Sequence, residues 1–262
     1  MITTTNIAGS GLTPRCPTGT RLVAAIDVEW TKNYRIRGGN VPFCYSVTYL
    51  ALPANEVSTC LDTIQFWYMS AYVQDSSQCP DLVVEADAML ACVMKEASLI
   101  AGHQLCSDLA VLAAAAALPP RSAVAGAATA WRGRREQLPG QPRFLDTRYD
   151  AGHILGCQSR RLVDVCVDLR LDVPQPELRG TSMTALHRRW LESGDATARE
   201  KITVLNLRHS LSTAMVAARA AGLAHWQPGL NVNRLLADGL GCAFGWLAHP
   251  VFTALLKDHN AA

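Results

Sequence analysis

Long apolar runs, blocks of one charge and paired cysteine motifs are all scarce in this sequence, and each scarcity excludes a class of protein. The longest apolar run, Leu109 to Leu118, is about half of what a bilayer-spanning helix needs. The opening Met-Ile-Thr-Thr-Thr-Asn lacks the basic-then-apolar order of a secretory signal. A cytoplasmic chain with no membrane partner is therefore expected. Nine cysteines make an odd number with no C-x-x-C pair, a pattern that fits free, buried thiols in a reducing compartment better than disulfides or zinc. No G-x-S-x-G elbow, P-loop or dinucleotide-binding glycine pattern is present, which argues against serine hydrolase, P-loop and Rossmann chemistry. Only 18% of the residues are charged, with Lys and Arg (24) nearly balancing Asp and Glu (22).

What is there is enough for a packed domain. Hydrophobic residues make up 49% of 262 positions, and a chain of that length buries roughly 70–75% of the surface its unfolded form exposes. Residues 1–20, rich in Thr, Gly and Pro, read as a flexible tail. Leu22–Trp30, Val41–Leu52 and Ile64–Val73 read as strands of an antiparallel meander. A helix over Asp81–Ala97, a strand over Ser98–Gly102 and an Ala-rich helix over Leu105–Leu118 follow. After a Pro/Gly/Arg-rich crossover with a short helix near Ala123–Arg132 comes a last strand, Phe144–Thr147. Helices are then expected near Ala151–Leu155 and Arg160–Leu171. A loop spans Pro174–Gly180, and Met183–Glu192, Ala198–Ala221 and Val232–Lys257 are helical. This order predicts an α/β fold with a mixed sheet, its meander followed by parallel strands and flanked by helices. The main domain spans 21–222. A helical extension, 223–262, reads equally as a cap or a dimerisation element.

Three acids carry the chemistry. In the first strand, Leu-Val-Ala-Ala-Ile-Asp-Val-Glu-Trp, the two-residue period puts Asp27 and Glu29 on one side and Ile26, Val28 and Trp30 on the other. Two carboxylates with Cα atoms about 7 Å apart can converge on cations, as in two-metal phosphoryl chemistry. An edge strand with a wet acidic face fits the same pattern. Asp108 falls in the first turn of the helix after Gly102-His103-Gln104, where the helix dipole favours an acid. Strand ends in α/β sheets are also where sites form.

Asp27-Val28-Glu29 resembles the D-x-E first motif of the DEDD-type 3′–5′ exonucleases, and Gly102-His103-Gln104 with Asp108 resembles their second, G-H-N followed by an Asp. Phe144-Leu145-Asp146-Thr147 is similar to the strand that follows it. The resemblance implies a ribonuclease-H-like fold and hydrolysis at the 3′ end of a DNA or RNA partner. It implies two Mg²⁺ or Mn²⁺ ions held by Asp27, Glu29 and Asp108, with Thr31, Lys32 and Asn33 lining the nucleotide pocket.

The third motif departs from the family. It calls for a final Asp preceded by a Tyr or His, yet no acid lies between Glu200 and Asp238. On the predicted helix, Val204, Leu207, Leu211, Met215 and Ala218 form an apolar stripe, with His209 and Thr213 together on the opposite side. His209 matches either the family's histidine base, leaving Ala214 or Thr213 at the Asp position, or the Asp position itself as a metal ligand. A structural histidine is the third possibility. Neutral imidazole binds Mn²⁺ but suits Mg²⁺ poorly. The missing acid leaves a nucleic-acid-binding relative without chemistry as the rival to the exonuclease.

Overall fold

Alternation in the first strand builds the middle of a sheet with two covered faces. Leu22, Ala24, Ile26 and Val28 join one buried cluster, while Val23 and Ala25 join the other. The computed structural model describes residues 1–31, 39–115, 118–119, 122–136 and 142–256. Within it the chain runs β1 (Ile2–Thr5), β2 (Thr20–Thr31), β3 (Val41–Pro53), β4 (Thr59–Cys60) and β5 (Phe66–Tyr72). Next come α1 (Cys79–Glu96), β6 (Leu99–Gly102), α2 (Leu105–Ala115), α3 (Ala123–Arg132), β7 (Arg143–Asp146) and α4 (Leu162–Asp168). The remainder is β8 (Leu171–Asp172), α5 (Met183–Ser193), α6 (Ala196–Ala220), β9 (Ala224–His225), β10 (Leu230–Asn231), α7 (Val232–Leu240) and α8 (Pro250–Thr253).

Six strands form one mixed sheet in the order β1-β5-β3-β2-β6-β7. Pairing is antiparallel from β1 through β2 and parallel for β2–β6 and β6–β7. The protein is thus α/β, with the expected meander and parallel strands flanked by helices. One face packs on α1, α2 and α3; the other packs on α6, α4 and α7. Among the described residues no helix is long and apolar enough to cross a membrane.

Two expectations need correction. Residues 2–5 of the expected tail form β1, paired with β5 from Ile2↔Tyr72 to Thr5↔Met69, and Tyr49 Oη donates to Leu12 O. Polar Thr-rich strands suit a sheet edge, so composition alone does not separate them from a tail. The single C-terminal helix is broken into α7, a 3-10 turn and α8, because Gly241 caps α7 at φ 54° and Pro250 starts α8. Helix α6 is buried nearly all round: Leu207 and Leu211 are covered, and so are Arg208, Ser212 and Thr213. A helix with elements packed on both sides carries no solvent face.

Candidate metal centre

β2 delivers Asp27 and Glu29 to the α6 side of the sheet by continuing the Val23/Ala25 row. A register shift between Glu29 and Trp30, after which pairing resumes at Trp30↔Pro42, puts an irregularity immediately after them, a common device for aiming side chains at a site. From α6, His209 reaches the pair: its Nδ1 lies 3.5 Å from Asp27 Oδ2 and 3.6 Å from Glu29 Oε1. One ligand atom from each of these three residues lies within 4.8 Å of the other two. They are mostly but not fully covered, with side chains 14%, 15% and 20% exposed for Asp27, Glu29 and His209. A small ion or a phosphate oxygen therefore has access.

Side chains that the sequence reading did not single out hold this cluster. Asn206 Nδ2 donates to Asp27 Oδ2 at 2.6 Å, and its Oδ1 lies 3.7 Å from Cys44 Sγ on β3. Asn206 is one helical turn before His209, so a polar residue on the same face of an apolar helix was the available signal. The side-chain amide of Gln175 meets His209 Nε2 at 3.1 Å, holding the ring with Nδ1 toward the carboxylates, and its oxygen is the atom that accepts from a protonated Nε2. Gln175 belongs to a Pro-flanked loop and carries no sequence signal of this role. That loop is anchored by Glu177, which accepts two bonds of 2.7 Å from Arg208 and one of 3.0 Å from Trp246 Nε1. Arg208 Nε also donates to Asn233.

Asp108 sits in the first turn of α2, 3% exposed, and its Oδ2 has no hydrogen-bond partner among the described residues. Burial, then the charges of Asp27 and Glu29, push its carboxyl well above the usual carboxylate range. The turn before it is held by Asp146, which accepts from the Gln104, Leu105 and Arg148 amides and from Trp131 Nε1. Gln104 there adopts φ 69°, a left-handed conformation that Asn tolerates better than Gln. His103 Nδ1 shares a 2.9 Å hydrogen bond with Thr147 Oγ1, and burial lowers its pKa to about 4, so it is a neutral tie between β6 and β7.

Charge balance in the cluster is local. Burial lifts the Glu29 pKa; its hydrogen bond to His209 opposes that and the Asp27 charge adds to it, for a result of about 7. Burial alone pulls His209 down, but the hydrogen bonds and charges of Asp27 and Glu29 together outweigh it and raise the ring to about 10. With no cation present, His209 is protonated and serves as counter-ion to the pair.

The structure thus brings together Asp27, Glu29 and His209, with Asp108 close enough for its ionisation to feel both acids. Thr213 is buried one turn along α6, its Oγ1 without a partner. Thr31 is engaged in the β2–β3 hairpin, donating to Val41 O and accepting from Val41 N. Lys32 and Asn33 lie outside the described residues. No protein-family model and no curated protein matches the chain.

Proposed function

We propose that the protein is a divalent-metal-dependent 3′–5′ exonuclease, a phosphodiesterase acting on nucleic-acid ends on a ribonuclease-H-like sheet. Convergence of Asp27, Glu29 and His209 within 4.8 Å is the observation that carries this reading. The donor set fits hard or borderline cations: two carboxylates, an imidazole nitrogen, and in Asp108 a buried oxygen still lacking a partner. A carboxylate kept dry and unpaired is costly unless a cation offsets it. The sheet order, with β2 central between an antiparallel meander and two parallel strands, supports the fold assignment. The nine free cysteines are consistent with the cytoplasm, where we place the enzyme.

Asp27, Glu29 and His209 would hold Mn²⁺ or Mg²⁺, with Asp108 completing a second position. When bound, the ions supply acidification of water and neutralisation of charge on the leaving 3′ oxygen. Asn206 orients Asp27 by its 2.6 Å bond, keeping one carboxylate oxygen directed across the cluster. Gln175 holds the imidazole plane. His103, neutral and tied to Thr147, spaces the β6 and β7 ends without competing for cations.

One observation favours a second reading, a binding protein that keeps the site without chemistry. His209 stands on α6 in salt-bridge range of both carboxylates, so the cluster is already neutralised in part. Incubating end-labelled single-stranded DNA and RNA with Mg²⁺, Mn²⁺ or chelator decides between them. A ladder shortening from the 3′ end, lost in Asp27→Ala, is expected. Binding of the strand without cleavage under either metal would establish the second reading.

A further inference from the structure

Positive charge is concentrated in one stretch. Residues 132–161 carry seven arginines and three acids, hence +4, in a chain whose formal total is +2. Two of those acids are already engaged: Asp146 by its four hydrogen bonds, and Asp150 by a bidentate contact with Arg134 at 2.7 and 3.1 Å. Asp150 reaches Arg135 only at 4.0 Å, and that arginine is 76% exposed. Arg143, at the far end of β7 from Asp146, is exposed as well. Arg134, Arg135, Arg143 and Asp150 line a cleft of about 300 Å³ with Phe144 and Leu145.

Beside the cleft runs a row of aromatic and cationic contacts. Arg134 lies over Trp131 at 4.1 Å, Trp131 meets Tyr149 edge-on at 6.1 Å, and Arg148 lies 6.0 Å from the Tyr149 ring. Tyr149 is 46% exposed. Strand register pairs Asp146 with Gly102 and Gly102 with Ile26, so this rim begins about 10 Å from Asp27, two strand spacings across the sheet. An exposed aromatic face set among cations is the composition that grips bases and phosphates together. An acidic peptide would use the cations and leave the ring idle.

We propose that this rim is the track for a single-stranded nucleic acid, with Arg135 and Arg143 on backbone phosphates and Tyr149 stacked on an unpaired base. The assignment of the strand's 3′ end to Asp27 and Glu29 rests on the exonuclease reading above; the track itself is tested without it. Fluorescence anisotropy of a labelled single-stranded oligonucleotide, as DNA and as RNA, is measured in chelator across a salt series. The proteins are the wild type, Arg135→Ala with Arg143→Ala, Tyr149→Ala, and Arg188→Ala, an exposed arginine on α5. Losing two phosphate contacts lowers the salt slope by about 1.4, and losing the stack weakens binding about tenfold. Arg188→Ala binds as the wild type does. Track variants that bind within about twofold of the wild type with an unchanged slope overturn the proposal, as does equally tight wild-type binding of a duplex. A wild type that binds the strand but leaves it intact in Mn²⁺ would refute the exonuclease alone.

Discussion

On the proposed reading, His209 makes metal binding a proton-release reaction. Its pKa of about 10 means that at pH 7 a cation taking Nδ1 must displace a proton held by roughly three decades, or about 4 kcal/mol. Between pH 7 and 8.5 the Mn²⁺ affinity should therefore climb about tenfold per pH unit. Below pH 7 the slope steepens, because Glu29, raised to about 7, must lose its proton too. Calorimetric titration with Mn²⁺ in buffers of different ionisation enthalpy counts those protons: His209 contributes about one at pH 8, Glu29 adds about one more near pH 6, and the raised Asp108 carboxyl adds its own where the second position fills. His209→Asp restores an acid at this position, so Mg²⁺ binding should strengthen relative to Mn²⁺. A pH-independent Mn²⁺ affinity with no released proton would refute the argument, since the imidazole would then be no ligand.

The same shifts set metal-free stability. Both pKa values are raised in the folded state, so their contribution is full in acid and is lost as pH rises through about 7 for Glu29 and about 10 for His209; melting in chelator should fall from pH 6 to 9 and flatten in Mn²⁺. Arg208→Ala strands the Glu177 carboxylate in the interior, both groups being fully shielded, at a cost of about 3–5 kcal/mol. That corresponds to a melting drop of about 6–20 °C, and a loss of only a degree or two would show that the pair holds nothing together. Asp108→Asn removes a buried acid whose charged form is disfavoured. It should raise the melting temperature in chelator and reduce the upward shift expected in Mn²⁺, a combination that simple structural damage does not produce. Gln104→Asn relieves a left-handed φ at the β6–α2 turn and should stabilise by about 1 kcal/mol in a urea titration.

The central strands were legible because their pattern is local. Leu22–Trp30 alternates with a period of two around Asp27 and Glu29, and only one side-chain arrangement follows from that. The Ala-rich helix after Gly102-His103 and the long helix through His209 follow from periodicity in the same way. The N-terminal strand was not legible, since Ile2–Thr5 owes its extended state to pairing with β5 and not to its own composition. Gly241 and Pro250 mark the C-terminal breaks, because a positive-φ glycine and a proline end a helix even within an apolar pattern.

The site divides along the same line. Sequence alone determined that Asp27 and Glu29 share a face, that Asp108 opens a helix after a parallel strand, and that no acid occupies α6, because each is a statement about near neighbours in the chain. Only the tertiary structure decided that His209 fills the gap between the two carboxylates, that Asn206 and Gln175 hold the cluster from either side, and that Arg134, Arg135 and Arg143 line one cleft. Those facts depend on how α6 lies across β2 and on where a loop 34 residues before His209 is anchored by Arg208 and Glu177. Hydrophobic burial over both faces of the sheet sets that placement, and no local pattern encodes it.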